Sequence, residues 1–154
     1  MAVRPCLPAG VKVSKVKEVQ PPANAGHSPF RLKVRRASAG LGLFAEETIP
    51  AGSRIIEYVG TPLDEARYQV SRSSYLFDVG DGVWIDGAPR WNRARYINHS
   101  CAPNCEANIE DGRIYIDALR DIHPGEELAY NYGTDFFEAK IADRCRCPAC
   151  AGRA

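Results

Sequence analysis

The chain has 154 residues, 45% of them hydrophobic and 25% charged, the proportions of one globular domain with a real core plus an extension. Its net charge of +1 hides a division, because residues 1–39 hold eight basic side chains and one acid, while the remaining 115 residues hold 12 basic and 18 acidic ones. Apolar runs are only a few residues long, far below the ~18 needed to cross a bilayer, which excludes a helical membrane span and leaves no membrane among the expected partners.

Residues 1–29 are rich in Pro, Ala, Val and Lys, with Pro21-Pro22 and Ser28-Pro29 as breakers, and read as a flexible basic tail. One strand is expected near Val11–Val19. Lys12, Lys15 and Lys17 interrupt any apolar signal core, so the chain is expected inside the cell. That would be the cytoplasm in a bacterium, or nuclear chromatin in a eukaryote or after delivery to a host. The basic tail is either a solvated extension or a weak nucleic-acid contact, although it lacks interleaved aromatics. The acidic remainder would attract a basic peptide through its long-range field.

From Phe30 onward, short β-like runs alternate with turn signals. The runs are 30–35, 42–45, 54–59, 75–79, 83–86, 106–109, 113–118 and 127–130. Asp81-Gly82 and Asp111-Gly112 read as hairpin turns, and Pro50-Ala51-Gly52 and Pro124-Gly125 as reversals. Only 63–71 and 91–97 look helical before residue 134. The pattern predicts a mainly β domain at 30–133, followed by a terminal segment at 134–154 that opens with a helix over 135–143.

Six cysteines are placed unevenly: Cys6 alone, then Cys101 and Cys105, then Cys145, Cys147 and Cys150. Without a secretory context a disulfide framework is disfavoured. Three cysteines within six residues are also too close to pair easily among themselves. Thiolate ligation of a metal accounts for them better.

Four separated segments carry a family resemblance. They are Ala39-Gly40-Leu41-Gly42-Leu43-Phe44-Ala45, Glu57-Tyr58-Val59-Gly60, Arg95 to Cys105 with Asn98-His99-Ser100-Cys101 at its centre, and Glu126-Glu127-Leu128-Ala129-Tyr130-Asn131-Tyr132-Gly133. In this order, with a cysteine cluster after them, they closely resemble the SET-domain lysine methyltransferases. The resemblance implies a fold of small curled β-sheets with a C-terminal pseudoknot, which would bring Asn98-His99 beside Tyr132. It also implies transfer of a methyl group from S-adenosyl-L-methionine to a lysine of a basic protein, most often a histone tail.

Carried over position by position, the resemblance places Ala39, Leu41, Gly42, Tyr75, Asn98 and His99 at the cofactor, with Arg146 added from the terminal segment. Tyr132 matches the tyrosine central to catalysis, Tyr58 another wall of the lysine channel, and Tyr130 the position that limits how many methyl groups are added. The terminal cysteines resemble a short post-SET tail, in which Cys101, Cys145, Cys147 and Cys150 would hold one structural Zn²⁺. Here Cys147 and Cys150 are separated by two residues where the family usually has four. Cys105 is expected to be a buried thiol. Two other classes compete: a catalytically inactive SET-fold module that binds peptides, and a small zinc-dependent nucleic-acid binder. The second leaves the tyrosines and the Arg95–Cys105 motif unexplained.

Overall fold

A computed structural model describes residues 21, 23, 25–141 and 144–151; the strand expected near Val11–Val19 lies outside them. Among the described residues the ten strands, most of them short, form four small sheets. β1 (Leu32–Ala37) and β2 (Gly40–Ala45) make an antiparallel hairpin that starts with Leu32 opposite Ala45 and ends with Ala37 opposite Gly40. β2 turns Leu43 and Ala45 into the core.

The central sheet runs β3 (Arg54–Tyr58), β9 (Arg113–Ala118), β8 (Cys105–Glu110). β9 shows the period-2 alternation of a half-buried strand: Ile114, Ile116 and Ala118 face the core while Arg113, Tyr115 and Asp117 face out. A register shift between Arg54 and Ile56 lets two successive isoleucines, Ile55 and Ile56, both be buried. Outside, Arg54 bridges Glu110 and Asp117, and its guanidinium lies 3.9 Å over the Tyr115 ring. The turn between β8 and β9 is Asp111-Gly112, with φ of 49° and 71° as a type I′ turn requires.

A third sheet, ordered β4 (Thr61–Asp64), β6 (Val83–Asp86), β5 (Leu76–Gly80), carries the six-residue helix α1 (Glu65–Val70). Helix had been expected from residue 63. Instead Leu63 and Asp64 pair with Trp84 and Val83, and the Asp64 carboxylate accepts the Arg67 N–H at 2.9 Å, so the helix starts only after this cap. The helix expected over 91–97 is a single 3-10 turn, Arg93–Tyr96.

The fourth sheet positions the site. β7 (Asn98–His99) and β10 (Ala129–Tyr130) pair in parallel, Asn98 with Ala129 and His99 with Tyr130. The segment leading into β10 also bonds to β2, through Ala45 N–H to Glu126 O and Leu128 N–H to Leu43 O. Residues 126–130 therefore lie between β2 and the 98–104 segment, where Asn104 accepts the Ala129 N–H on Oδ1 at 2.9 Å and donates Nδ2 to Glu127 O at the same distance. Asn104 is buried, and these bonds satisfy its polar atoms. Beyond residue 133 the chain forms α2 (Thr134–Phe136), a π-helical turn Phe137–Ile141 and α3 (Pro148–Ala151). No helix among the described residues is long and apolar enough to cross a membrane.

Candidate active site

The parallel pairing sets Tyr130 and Tyr132 beside rings from β3 and β5. Tyr58 packs on Phe77 at 5.4 Å between centroids, Phe77 on Tyr130 at 6.2 Å, and Tyr130 on Tyr132 at 4.8 Å, giving one continuous aromatic wall. Tyr58 is 5% exposed and Tyr130 7%. The Tyr132 hydroxyl donates to Ile97 O at 2.6 Å, and the Tyr58 hydroxyl to Tyr75 O at 2.9 Å. Both phenol protons are thus committed to carbonyls, which leaves the oxygen lone pairs as acceptors. Burial pushes all three phenols above the ordinary tyrosine range, so they remain un-ionised at neutral pH.

A concavity of about 350 Å³ opens beside this wall, lined by Phe77, Tyr130 and Tyr132 together with Pro103, Ala107 and Leu119. Tyr58 lines a separate, smaller one of about 180 Å³ with Val59 and Ile85. Tyr58 is tied to the first through Phe77. Gly87 makes room for it: a Cβ there would lie on the Tyr58 ring and hydroxyl.

Among the residues expected at a cofactor, Leu41, Gly42 and Asn98 meet around Glu127. Asn98 Nδ2 donates to Leu41 O at 3.0 Å and to Glu127 Oε1 at 2.6 Å. Gly42 permits that carboxylate to approach, since a Cβ at this position would clash with Glu127. Leu41 is 54% exposed, an apolar side chain standing open beside polar Asn98. His99 Nδ1 accepts the Tyr132 N–H at 3.2 Å, and burial holds this imidazole's pKa down. Ser38, next to Ala39 in the β1–β2 turn, donates its hydroxyl to Arg146 O at 3.0 Å, so the terminal segment lies against that turn. Tyr75 stands apart from this group, adjoining the tyrosine wall instead through its carbonyl, and its ring lies 4.3 Å beneath the Arg95 guanidinium.

Cys101, Cys145, Cys147 and Cys150 bring their sulfurs within 4.8 Å of one another, whereas Cys105 is fully buried and outside the group. Four thiolates around Zn²⁺ at about 2.3 Å sit about 3.8 Å apart. The Cys101–Cys150 and Cys101–Cys145 separations of 3.5 and 4.0 Å bracket that value. The residues fit the metal, and the two-residue gap before Cys150 does not prevent closure. As free thiols, Cys101 and Cys147 hold their protons unevenly. Cys101 is pushed up to about 12, first by its bond with the Cys150 thiol and then by burial. For Cys147 burial works upward, but the Cys101 N–H and the neighbouring thiols outweigh it and pull it to about 6. A divalent metal would replace the remaining protons.

Sequence reasoning overlooked Phe77, although it is the third residue of the Tyr75-Leu76-Phe77-Asp78 run and lies two residues after Tyr75, near the start of β5. It also overlooked Glu127, which lay inside a quoted motif. Phe136 packs edge-on to Tyr132 at 5.3 Å and Phe137 lies 5.1 Å from His99, contacts that no local pattern announces.

Comparison with known proteins agrees with this geometry. Residues 40–133 match the SET domain family. The chain is 44% identical over 133 residues to a "Histone-lysine N-methyltransferase, H3 lysine-4 specific" of Chaetomium globosum, covering 78% of this chain and 12% of that protein. It is 40% identical over 134 residues to "Histone-lysine N-methyltransferase set1" of Dictyostelium discoideum, covering 78% and 9%. To "Histone-lysine N-methyltransferase trithorax" of Drosophila virilis it is 41% identical over 123 residues, covering 72% and 3%. The chain thus spans about an eighth or less of the length of these curated relatives. The match of residues 40–133, the extent of these identities and the parallel β7–β10 pairing agree, and the chain belongs to the SET-domain family.

Proposed function

We propose that the chain is a protein-lysine N-methyltransferase acting on a histone tail or a similar basic protein at chromatin. The observation that carries this reading is the aromatic wall Tyr58–Phe77–Tyr130–Tyr132, in which the Tyr58 and Tyr132 hydroxyl protons are engaged by carbonyls and Phe77, Tyr130 and Tyr132 line a concavity large enough for a lysine stem. Relatives named for lysine 4 of histone H3 support the choice of substrate, as does the acidic balance of residues 40–154. The same reading takes residues 1–29 as a basic tail with weak nucleic-acid affinity, 30–133 as the catalytic domain and 134–154 as a zinc-binding tail.

S-adenosyl-L-methionine supplies an electrophilic methyl group to such a site. Ala39, Leu41, Gly42, Asn98, His99 and Arg146 would hold it, with Tyr75 closing the side nearest the channel. Tyr58, Tyr130 and Tyr132 would do three things for the lysine. They align its amine for in-line displacement. They exclude water around it, which disfavours the ammonium form. Presenting a neutral amine at pH 7 from a pKa near ~10.4 costs about 4.6 kcal/mol, at ~1.36 per unit, and this is the cost that desolvation reduces. Finally, their oxygens accept from the amine, and Tyr130's hydroxyl occupies space that a methylated amine would need. Cys101, Cys145, Cys147 and Cys150 would hold one structural Zn²⁺, ordering the chain after residue 133 against the Ser38 turn.

Calorimetric titration with S-adenosyl-L-methionine and elemental analysis of the same purified sample test the reading. Saturable cofactor binding with about one equivalent of zinc is expected. No cofactor binding, or fewer than about half an equivalent of zinc with full activity, would overturn the corresponding part.

A further inference from the structure

The His99 imidazole lies between two parts of the molecule that serve different ends. On one edge Nδ1 accepts the backbone N–H of Tyr132, 33 residues away, at 3.2 Å. On the other, Nε2 lies 3.4 Å from Sγ of Cys101, one of the four clustered sulfurs. A backbone N–H can only donate. Nδ1 therefore presents its lone pair, the neutral ring carries its proton on Nε2, and that proton is aimed at sulfur. The ring is also held in place. Tyr132 meets it edge-on at 5.5 Å, Phe137 packs at 5.1 Å, and its main chain is paired with Tyr130.

A metal-bound thiolate accepts hydrogen bonds, and a donor in this position fixes its lone pairs and withdraws some of its charge. A second bond of this kind joins the cluster, from the Cys101 N–H to Cys147 Sγ at 3.5 Å. We infer that His99 is a positioning residue linking the metal centre to the reacting tyrosine: Nε2–H holds the Cys101 thiolate while Nδ1 fixes the main chain of Tyr132. The inference rests on the proposed reading of Tyr132 and of the four cysteines. It adds a consequence that cofactor contact by His99 would not produce, because one imidazole then sets both the electron donation of a metal ligand and the placement of the channel wall.

Cobalt(II) is the probe, since its thiolate charge-transfer band reports hydrogen bonding to sulfur independently of turnover. Three proteins are loaded with Co²⁺: wild type, H99Q and H99L. Glutamine can place an amide N–H where Nε2 stood but gives up the ring nitrogen that takes the Tyr132 N–H; leucine gives up both. The H99L band should move to lower energy, and its metal affinity in chelator competition should fall about 10- to 100-fold. H99Q should keep the wild-type band and affinity. Both variants should lose kcat with little change in KM for peptide, H99Q because only the Tyr132 contact has gone. An unchanged band and affinity in H99L overturn the inference while leaving the metal reading intact. An H99Q band displaced like that of H99L also overturns it, since a donor to sulfur would then not be what sets the band. Wild-type protein that takes up no cobalt removes the metal reading and the inference with it.

Discussion

Replacing Tyr132 by phenylalanine removes one oxygen and leaves the ring packing on Tyr130 and Phe136 in place. The lost contact is the 2.6 Å bond to the carbonyl of Ile97, a residue only 1% exposed. An acceptor left without its partner in that setting costs about 1–3 kcal/mol. Against a domain stability of about 5–15 kcal/mol the fold survives, with Tm lower by roughly 2–4 °C per kcal/mol. The chemical step loses more. With its proton committed to Ile97, the oxygen would accept from the proposed substrate amine as positive charge builds on it in the transition state, and a hydrogen bond to a charged group contributes about 1.5–3 kcal/mol. At ~1.36 kcal/mol per decade, kcat should fall about 10- to 150-fold, with cofactor affinity preserved. Transfer of labelled methyl to an H3 tail peptide under saturating conditions measures kcat, and thermal denaturation checks the fold in the same preparation. Turnover within about threefold of wild type, in a protein shown to be folded, would refute the assignment of this oxygen.

Tyr130→Phe should free space beside the amine and shift products toward higher methylation states; identical product masses from the two proteins would show that the channel argument is wrong. Gly87→Ala would drive a methyl group onto the Tyr58 ring, so stability should drop by about 1–3 kcal/mol and activity with it; an unaltered Tm would contradict the packing described. Tyr58, Tyr130 and Tyr132 have their phenol pKa raised by burial, so the stability they contribute is whole below the unfolded value of ~10 and is lost as pH rises through the folded values. Ultraviolet titration should accordingly show tyrosine ionisation that is completed only when the chain unfolds in alkali; complete ionisation near ~10 in folded protein would remove the buried wall.

Where a segment is long enough to show a period, the sequence disclosed it. β9 alternates cleanly, and the two Asp-Gly turns are in place. Much of what was missed is short and non-local. β7 has two residues, too few to display alternation; β10 falls within the expected 127–130 run, but its pairing with β7 across about thirty residues of chain was expected only from the family resemblance. The helix after Thr61 starts late because Leu63 and Asp64 find ladder partners in β6, a tertiary choice that local propensity does not encode. The cysteine spacing pointed to a metal, but the assignment of Cys101 rather than Cys105 to the group depended on family resemblance. The fold gives the physical reason: Cys105 faces inward opposite Ala118 in the central sheet, whereas Cys101 precedes it on an exposed turn that the terminal segment reaches. The resemblance placed His99 beside Tyr132, but the contact of its Nε2 with Cys101 Sγ on the opposite edge of the ring was not legible in the sequence.

Lysine methyl transfer itself is tested most directly by tandem mass spectrometry of unmodified histones incubated with the purified chain and S-adenosyl-L-methionine carrying an isotopically labelled methyl group. The account predicts labelled methyl on a lysine ε-amine within a histone tail, formed about 10- to 150-fold more slowly when Tyr132→Phe protein is used. Intact cofactor binding with no labelled lysine would contradict it, and would favour an inactive SET-fold module over an enzyme.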